Sequence, residues 1–296
     1  MNSGDDIAVL ANPRAGRGRH RGLLPEVLDV LAGTGRPVRL LTAVSGAEAE
    51  AACRRAVTDG VGAVVAVGGD GTVHRALQGV AGTATPLGIV PAGTGNDFAR
   101  AAGVPLDPRQ AARAVTAARE HPRDLARVTD AGGGTRWFGA VLACGFDAIV
   151  NERANRMRWP RGPRRYDLAV ALELARLRTR DYTITLDGTE RGVAGVLVAI
   201  GNGPTYGGGM RICPDADMTD GLLDVVIGAG MGRGALVRLK PRLRHGTHLR
   251  DPRVGAYRAR EVRIEAEGII AYADGERIGP LELTVRCEPG AVRLLL

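Results

Sequence analysis

Gly68-Gly69-Asp70-Gly71-Thr72 and Pro91-Ala92-Gly93-Thr94-Gly95-Asn96-Asp97-Phe98 set the architecture of this chain. Each follows an apolar, β-branched run, Val61–Val67 and then Leu87–Val90, and each opens into a helix-like segment. A strand that ends in glycines and then starts a helix brings bare backbone N–H groups to one edge of a sheet. The helix dipole adds partial positive charge at the same place, so the turn suits phosphate. Glycine is needed there because only a residue without Cβ lets the chain turn tightly and a phosphate approach. Thr72 and Thr94 place hydroxyls beside those N–H groups. A carboxylate in an anion cradle is awkward unless a cation is shared, so Asp70 points to Mg²⁺ carried by a nucleotide. A third junction has the same form: Ile7–Leu10 runs into Asn12-Pro13-Arg14-Ala15-Gly16-Arg17-Gly18. Open parallel sheets bind ligands along the edge that such junctions share.

Two other phosphate motifs are excluded. A Walker loop needs G-x-x-x-x-G-K-[ST], and the sole lysine, Lys240, follows Val237-Arg238-Leu239 and precedes Pro241. The Gly16/Gly18 pair lacks the third glycine of a dinucleotide fingerprint.

The rest of the chain divides at about residue 125. Before it, the strand and helix patterns alternate: Ile7–Leu10, Leu23–Leu31, Val38–Thr42, Ala47–Thr58, Val61–Val67, Leu87–Val90. That rhythm predicts a doubly wound parallel sheet, an α/β domain over 1–124. After it, Trp137–Cys144, Tyr182–Leu186, Val193–Ile200, Leu222–Ile227, Val262–Ala266 and Leu281–Cys287 read as strands. Leu186-Asp187-Gly188-Thr189 supplies a hairpin turn. This half, 125–289, reads as an antiparallel β-sandwich with two helical insertions, Tyr166–Leu177 and Arg233–Arg244.

At 296 residues the chain suits two domains. No apolar run reaches the about eighteen residues that span a bilayer, and the polar, acidic start is unlike a signal peptide. Cys53, Cys144, Cys213 and Cys287 are far apart and read as buried free thiols of a reducing cytosol. The net charge of +8, carried by arginine, favours anionic partners. Aromatic residues are only 3% of the chain, too few for the base stacking of a single-strand nucleic-acid binder.

Asn12-Pro13 with Gly16, GGDGT at 68–72 and P-x-G-T-x-N-D-F at 91–98 resemble the diacylglycerol kinase catalytic-domain family, which includes bacterial soluble lipid kinases and the sphingosine and ceramide kinases. Gly207-Gly208-Gly209-Met210, Pro214-Asp215-Ala216, Asp220-Gly221-Leu222-Leu223-Asp224 and Asp274-Gly275-Glu276 continue the resemblance in the expected order. The resemblance implies two domains with the active site in a cleft between them and residues 290–296 returning to the first. It implies an ATP- and Mg²⁺-dependent lipid kinase, with diacylglycerol the foremost acceptor and phosphatidic acid the product. Asn12, Pro13, Arg14, Ala15, Gly16, Thr42, Gly68, Gly69, Asp70, Gly71, Thr72, Val73, His74 and Thr94 would surround the nucleotide. His74 departs from the polar amide of relatives. Asn96 and Asp97 read equally as nucleotide ligands and as N-cap residues of the helix that follows.

A lipid hydroxyl attacks poorly without a carboxylate near its proton, and by resemblance Glu276 takes the position of that base, with Asp274 the alternative. Asp70 and Glu276 are thus the expected catalytic pair. Asp217, Asp220 and Leu222 match a segment that holds a second, structural Mg²⁺ through the Asp220 carboxylate and two carbonyls. Asp215 and Asp224 lie in the same cluster.

The stretch Arg153–Arg180 carries arginines around the apolar Leu168–Leu177 and reads as a basic amphipathic helix. Such a helix suits an anionic phospholipid surface and a cytoplasmic protein held at the inner face of a membrane. Leu236–His248 is a second candidate wall for acyl chains. Within the lipid-kinase reading, phosphatidylglycerol, a sphingoid base or a ceramide are alternative acceptors. Two further readings are an NAD-kinase-like soluble enzyme, which shares GGDGT, and a basic non-catalytic binding protein. No nucleic-acid partner is expected, and a homodimer is left open.

Overall fold

The computed structural model describes residues 5–12, 22–160 and 163–296. The chain forms two units. Unit 1 comprises Met1–Leu125, Met218–Asp220 and Glu288–Leu296; unit 2 comprises Ala126–Asp217 and Gly221–Cys287.

In unit 1, β1 (Ile7–Ala11), β2 (Val38–Leu41), β3 (Ala63–Gly68) and β4 (Leu87–Pro91) pair in parallel in the order β2-β1-β3-β4. The last strand, β15 (Leu283–Leu295), adds a fifth parallel partner, with Leu294 beside Leu87 and Leu295 beside Gly88. The helices α1 (Leu23–Ala32) and α5 (Pro108–Thr116) pack as one pair, and α2 (Gly46–Thr58) and α3 (Asp70–Val80) as another. Ile7, Val9, Val65 and Val67 share a core with Val27, Leu31, Ala112 and Val115 of the first pair. The alternate residues Ala8, Leu10, Val64 and Ala66 are buried as well. A strand covered on both faces reads as a continuous apolar run, which is why Val61–Val67 looked like a parallel strand.

Local signals fix the helix ends. Ser45 accepts the Glu48 N–H at 3.2 Å while Glu48 accepts that of Val44 at 3.0 Å, a variant of the capping box that starts α2. Asp107 accepts the Gln110 N–H at 2.9 Å, and Pro108 fills the first position of α5.

Unit 2 is an antiparallel β-sandwich. Its central strand β9 (Thr189–Gly201) pairs with β8 (Arg180–Leu186) through its first half and lies between β7 (Val141–Gly145) and β10 (Leu223–Ala229) through its second. Phe138, Leu142, Ile184, Val198, Ile200 and Val225 form its main core. The β8–β9 hairpin turns at Asp187-Gly188, both at positive φ, where the sequence places its D-G turn.

Two details differ from the sequence reading. Trp137–Cys144 is two strands, β6 (Thr135–Phe138) and β7, because the Gly139 and Ala140 N–H groups both donate to the Asp274 carboxylate, at 2.9 Å each, and not to a neighbouring strand. A helix, α6 (Phe146–Arg156), precedes α7 (Pro163–Ala175) where no separate helix is expected. Its buried face is short, Ala148, Val150 and Ala154, so no strong apolar period marks it. The second insertion is α8 (Arg233–Leu243).

Candidate active site

The turns after β3 and β4 are neighbours because their strands are. Gly68 lies in register with Pro91, and the Ala92 N–H donates to Gly68 O at 2.8 Å. The two glycine turns then meet back to back. A Cβ on Gly93 would sit 2.5 Å from Gly69 Cα, and one on Gly69 would sit 3.0 Å from Gly93 Cα. No side chain fits at either place, so the backbone alone forms this part of the sheet edge. Asn96, in the left-handed conformation at φ 56°, folds its side chain back on Gly93, accepting its N–H at 3.1 Å.

Asp70, the first residue of α3, ties the turns together. Its Oδ2 accepts the Asn96 N–H at 2.8 Å and its Oδ1 accepts that of Asp97 at 2.7 Å. It thereby serves the start of α4 (Asp97–Ala101). An ionised carboxylate is a pure acceptor, and its two oxygens are the hard donor type that a divalent cation takes. Hard oxygen donors beside exposed backbone N–H groups match the chemistry of a magnesium-bound nucleotide.

The other expected nucleotide residues are placed as follows. Asn12 is exposed at the end of β1, its N–H donating to Val67 O at 3.2 Å. Thr42 is exposed just after β2, and Thr94 is exposed in the second glycine turn. Gly71 is exposed, whereas Thr72 is buried, its hydroxyl against Gly68. Val73 and His74 are also buried, and the His74 ring lies 3.5 Å from the Gln78 amide. Pro13, Arg14, Ala15 and Gly16 lie outside the described residues. Asp97, read equally as ligand and cap, is buried at the α4 start, where its N–H meets Asp70.

In unit 2, Asp274-Gly275 forms a two-residue hairpin turn between β13 (Ile270–Ala273) and β14 (Glu276–Pro280), with Ala273 paired to Glu276. Both turn residues have positive φ, 51° and 83°, as this hairpin type requires. Asp274 spends its carboxylate on the Gly139 and Ala140 N–H groups, a structural role. Glu276 is half-buried at the first position of β14.

Two groups of this unit escaped the sequence reading. Glu152 of α6 accepts the Tyr272 hydroxyl at 2.6 Å, the Arg277 Nε at 3.3 Å and Arg156 at 2.7 Å. The Tyr272 hydrogen bond, with Arg156 and Arg277, holds its carboxyl below the usual range against the opposing effect of burial. Tyr272 and Arg277 face each other across the hairpin, so one carboxylate grips both strands beside the Glu276 turn. Asp147, also on α6, accepts the Tyr206 hydroxyl. Burial raises the Asp147 pKa, partly offset by that hydrogen bond, and burial together with Asp147 raises the Tyr206 hydroxyl. Only the Glu152–Arg156 pair has a helical spacing; the Tyr272 and Tyr206 partners lie more than fifty positions away and carry no spacing signal.

The acidic segment is divided. Asp217 and Leu222 belong to unit 2 and Asp220 to unit 1; Asp217 and Asp220 are exposed, and Leu222 is half-buried. Among the described residues no group of three or more His, Cys, Asp or Glu side chains is arranged to hold a metal ion. The expected set is of another kind, one carboxylate and two carbonyls, oxygen donors that suit a hard cation. Asp224 is buried beside Arg258, Oδ2 to Nε 3.5 Å.

Comparison with known proteins follows this geometry. Residues 6–128 match the diacylglycerol kinase catalytic domain, and residues 140–296 match the YegS C-terminal NAD kinase beta sandwich-like domain. The chain is 42% identical over 304 residues to a diacylglycerol kinase of Mycobacterium tuberculosis, covering 98% of this chain and 94% of that one. The chain belongs to the diacylglycerol kinase and YegS-like lipid kinase family. A YegS-like lipid kinase of Stenotrophomonas maltophilia is 34% identical over 262 residues, 84% of this chain and 83% of its own. A crystal structure from Bacillus anthracis strain Sterne shares the fold, with a TM-score of 0.80 at 24% identity, over 100% of this chain and 96% of that one.

Proposed function

We propose that this lipid kinase transfers the γ-phosphoryl group of ATP to a lipid hydroxyl, with diacylglycerol as acceptor and phosphatidic acid as product. The observation that carries the reading is the pair of side-chain-free glycine turns locked by Asp70, a backbone cradle at the end of a parallel sheet. The 42% identity to a diacylglycerol kinase of Mycobacterium tuberculosis supports the choice of diacylglycerol.

The transition state of phosphoryl transfer is loose and highly charged, so positioning and charge neutralisation supply most of the catalysis. Gly68–Thr72 and Thr94 bind the phosphates, and Asp70 orients the donor. Mg²⁺, held by Asp70, would neutralise charge on the phosphate oxygens. Glu276 accepts the proton of the attacking lipid hydroxyl. A separate cation at Asp217, Asp220 and Leu222 would have a structural role.

The test is transfer of labelled γ-phosphate into extractable lipid, using micelles of diacylglycerol, phosphatidylglycerol and sphingoid base. Label in phosphatidic acid is expected, and Glu276→Gln should lower it by about 10²- to 10⁴-fold, the usual contribution of a general base. Label in another lipid would change the acceptor and keep the mechanism. ATP binding without any lipid label, or label in NAD, would overturn the reading.

A further inference from the structure

The stretch read from the sequence as a basic amphipathic helix ends in a feature that the phosphoryl-transfer reading leaves unused. On α7, Ala169 is buried, Val170 half-buried, and Ala171 and Leu172 exposed, so its apolar side chains form no single stripe. The arginines beyond it, Arg176, Arg178 and Arg180, gather instead around a cavity of about 50 Å³. Phe146 and Ile149 of α6 and Val196 of β9 give that cavity apolar walls. Its charge is one-sided. Glu173 also lines it and is engaged by Arg153. Arg176, Arg178 and Arg180 form no ion pair among the described residues.

Two buried polar atoms meet at the same place. Arg180 and Tyr182 are alternate residues of β8 and so share a face of the sheet. The Arg180 Nε and the Tyr182 hydroxyl are both buried, and neither has a hydrogen-bond partner among the described residues. Tyr182 as a whole is only 2% exposed, so solvent does not serve its hydroxyl. Its ring leans over Gly195, the cross-strand partner of Arg180, with Cε2 3.7 Å from the Cβ that glycine lacks. Its hydroxyl ends 2.7 Å from where a Cβ on Gly145 would stand, and Gly145 lines the cavity. Gly145 has φ 86°, so strain as well as space keeps a side chain out of this corner. Burial raises the Tyr182 hydroxyl pKa against the opposing Arg180 charge, so the phenol keeps its proton.

A buried donor left without a partner costs about 1–3 kcal/mol. Two of them beside three unpaired guanidinium groups call for an acceptor that carries negative charge. Size narrows the choice. A water needs roughly 10–15 Å³ of such space, so this cavity takes a small ion and is too small for a lipid headgroup.

We propose that the cavity is a site for one small inorganic anion of the chloride class, held between the Arg180 Nε–H and the Tyr182 hydroxyl. The ion ties the end of α7 and the start of α6 to the sheet at β8 and β9. The site is separate from the proposed phosphoryl transfer, and its test reads ion binding and not activity.

Thermal unfolding is compared in sodium chloride and in sodium gluconate at equal ionic strength, since gluconate is too large for the cavity. Chloride should raise the midpoint by roughly 2–5 °C, and the rise should saturate with concentration. Tyr182→Phe and Arg180→Gln should each lose most of that increment. In gluconate Tyr182→Phe should be at least as stable as the parent, because an unpaired buried hydroxyl has been removed. Crystals grown in bromide should show anomalous density within hydrogen-bond reach of both groups, a readout that needs neither variant. Equal midpoints in the two salts, an increment that survives Tyr182→Phe, or bromide crystals without density at the site would overturn the proposal.

Discussion

Asp70 holds two backbone N–H groups and, in the proposed mechanism, orients the phosphoryl donor; mutation can separate the two. Asp70→Ala removes the acceptor of two backbone N–H groups, Asn96 and Asp97, and leaves both donors unmatched. Hydrogen bonds to a charged group are worth about 1.5–3 kcal/mol each, so denaturant unfolding should show a loss of roughly 3–6 kcal/mol. Asp70→Asn keeps one acceptor oxygen and should lose less stability, while phosphoryl transfer falls in both. Asp147 gives a prediction of opposite sense. Burial raises its folded-state pKa, so its favourable contribution is present below the usual carboxylate range of about 4 and is lost as pH rises through the raised value. Asp147→Asn still accepts the Tyr206 hydroxyl and never ionises. Its melting temperature relative to the parent should therefore rise between about pH 4 and pH 8. Asp70 was legible in the sequence through its glycine setting. Its hydrogen bonds to residues 96 and 97 were not, because they depend on β3 and β4 being adjacent strands. The burial of His74 was not legible, because the motif gives its position and only the packing of α3 sets where its ring lies.

Between residues and fold lie the hairpin β13–β14 and the helix α6 that grips it. Glu152 takes Tyr272 from one strand and Arg277 from the other, just before the turn that presents Glu276. Its carboxyl is held low, so the stability it gives is present above the usual carboxylate range and lost as pH falls through the depressed value. Amide hydrogen exchange across Ala271–Arg277 should accelerate below about pH 4, and Glu152→Gln should show the faster exchange already at neutral pH. The same variant should lower kcat more than it raises the KM for ATP, since Glu276 is positioned less well while the nucleotide turns are untouched. The strands of this region were legible from alternation and the Asp-Gly turns. α6 was not, because three buried residues in eleven make too weak a period. The break between β6 and β7 was not legible either: Asp274, more than a hundred residues away, takes the N–H groups that continuity would need.

For the whole molecule, the doubly wound sheet and the β-sandwich follow from the change of pattern near residue 125. Unit 1 nonetheless draws on three separate stretches of chain. Its fifth strand comes from β15, where Val292, Leu294 and Leu295 are buried. Each buried aliphatic side chain contributes about 1.5–3 kcal/mol, so ending the chain at Gly290 removes roughly 5–9 kcal/mol. That rivals the 5–15 kcal/mol net stability of a typical domain. Circular dichroism of the shortened protein should show the parallel domain largely unfolded, with nucleotide binding lost.

That strand follows every other element of both units along the chain, which gives synthesis a direction of its own. Domains fold as the polypeptide emerges, at about 5–20 residues per second. All of unit 2 emerges before β15 can seat beside Leu87. The glycine turns therefore wait on a strand made some two hundred residues later, and a prematurely terminated product would carry the whole GGDGT loop without the sheet that shapes it.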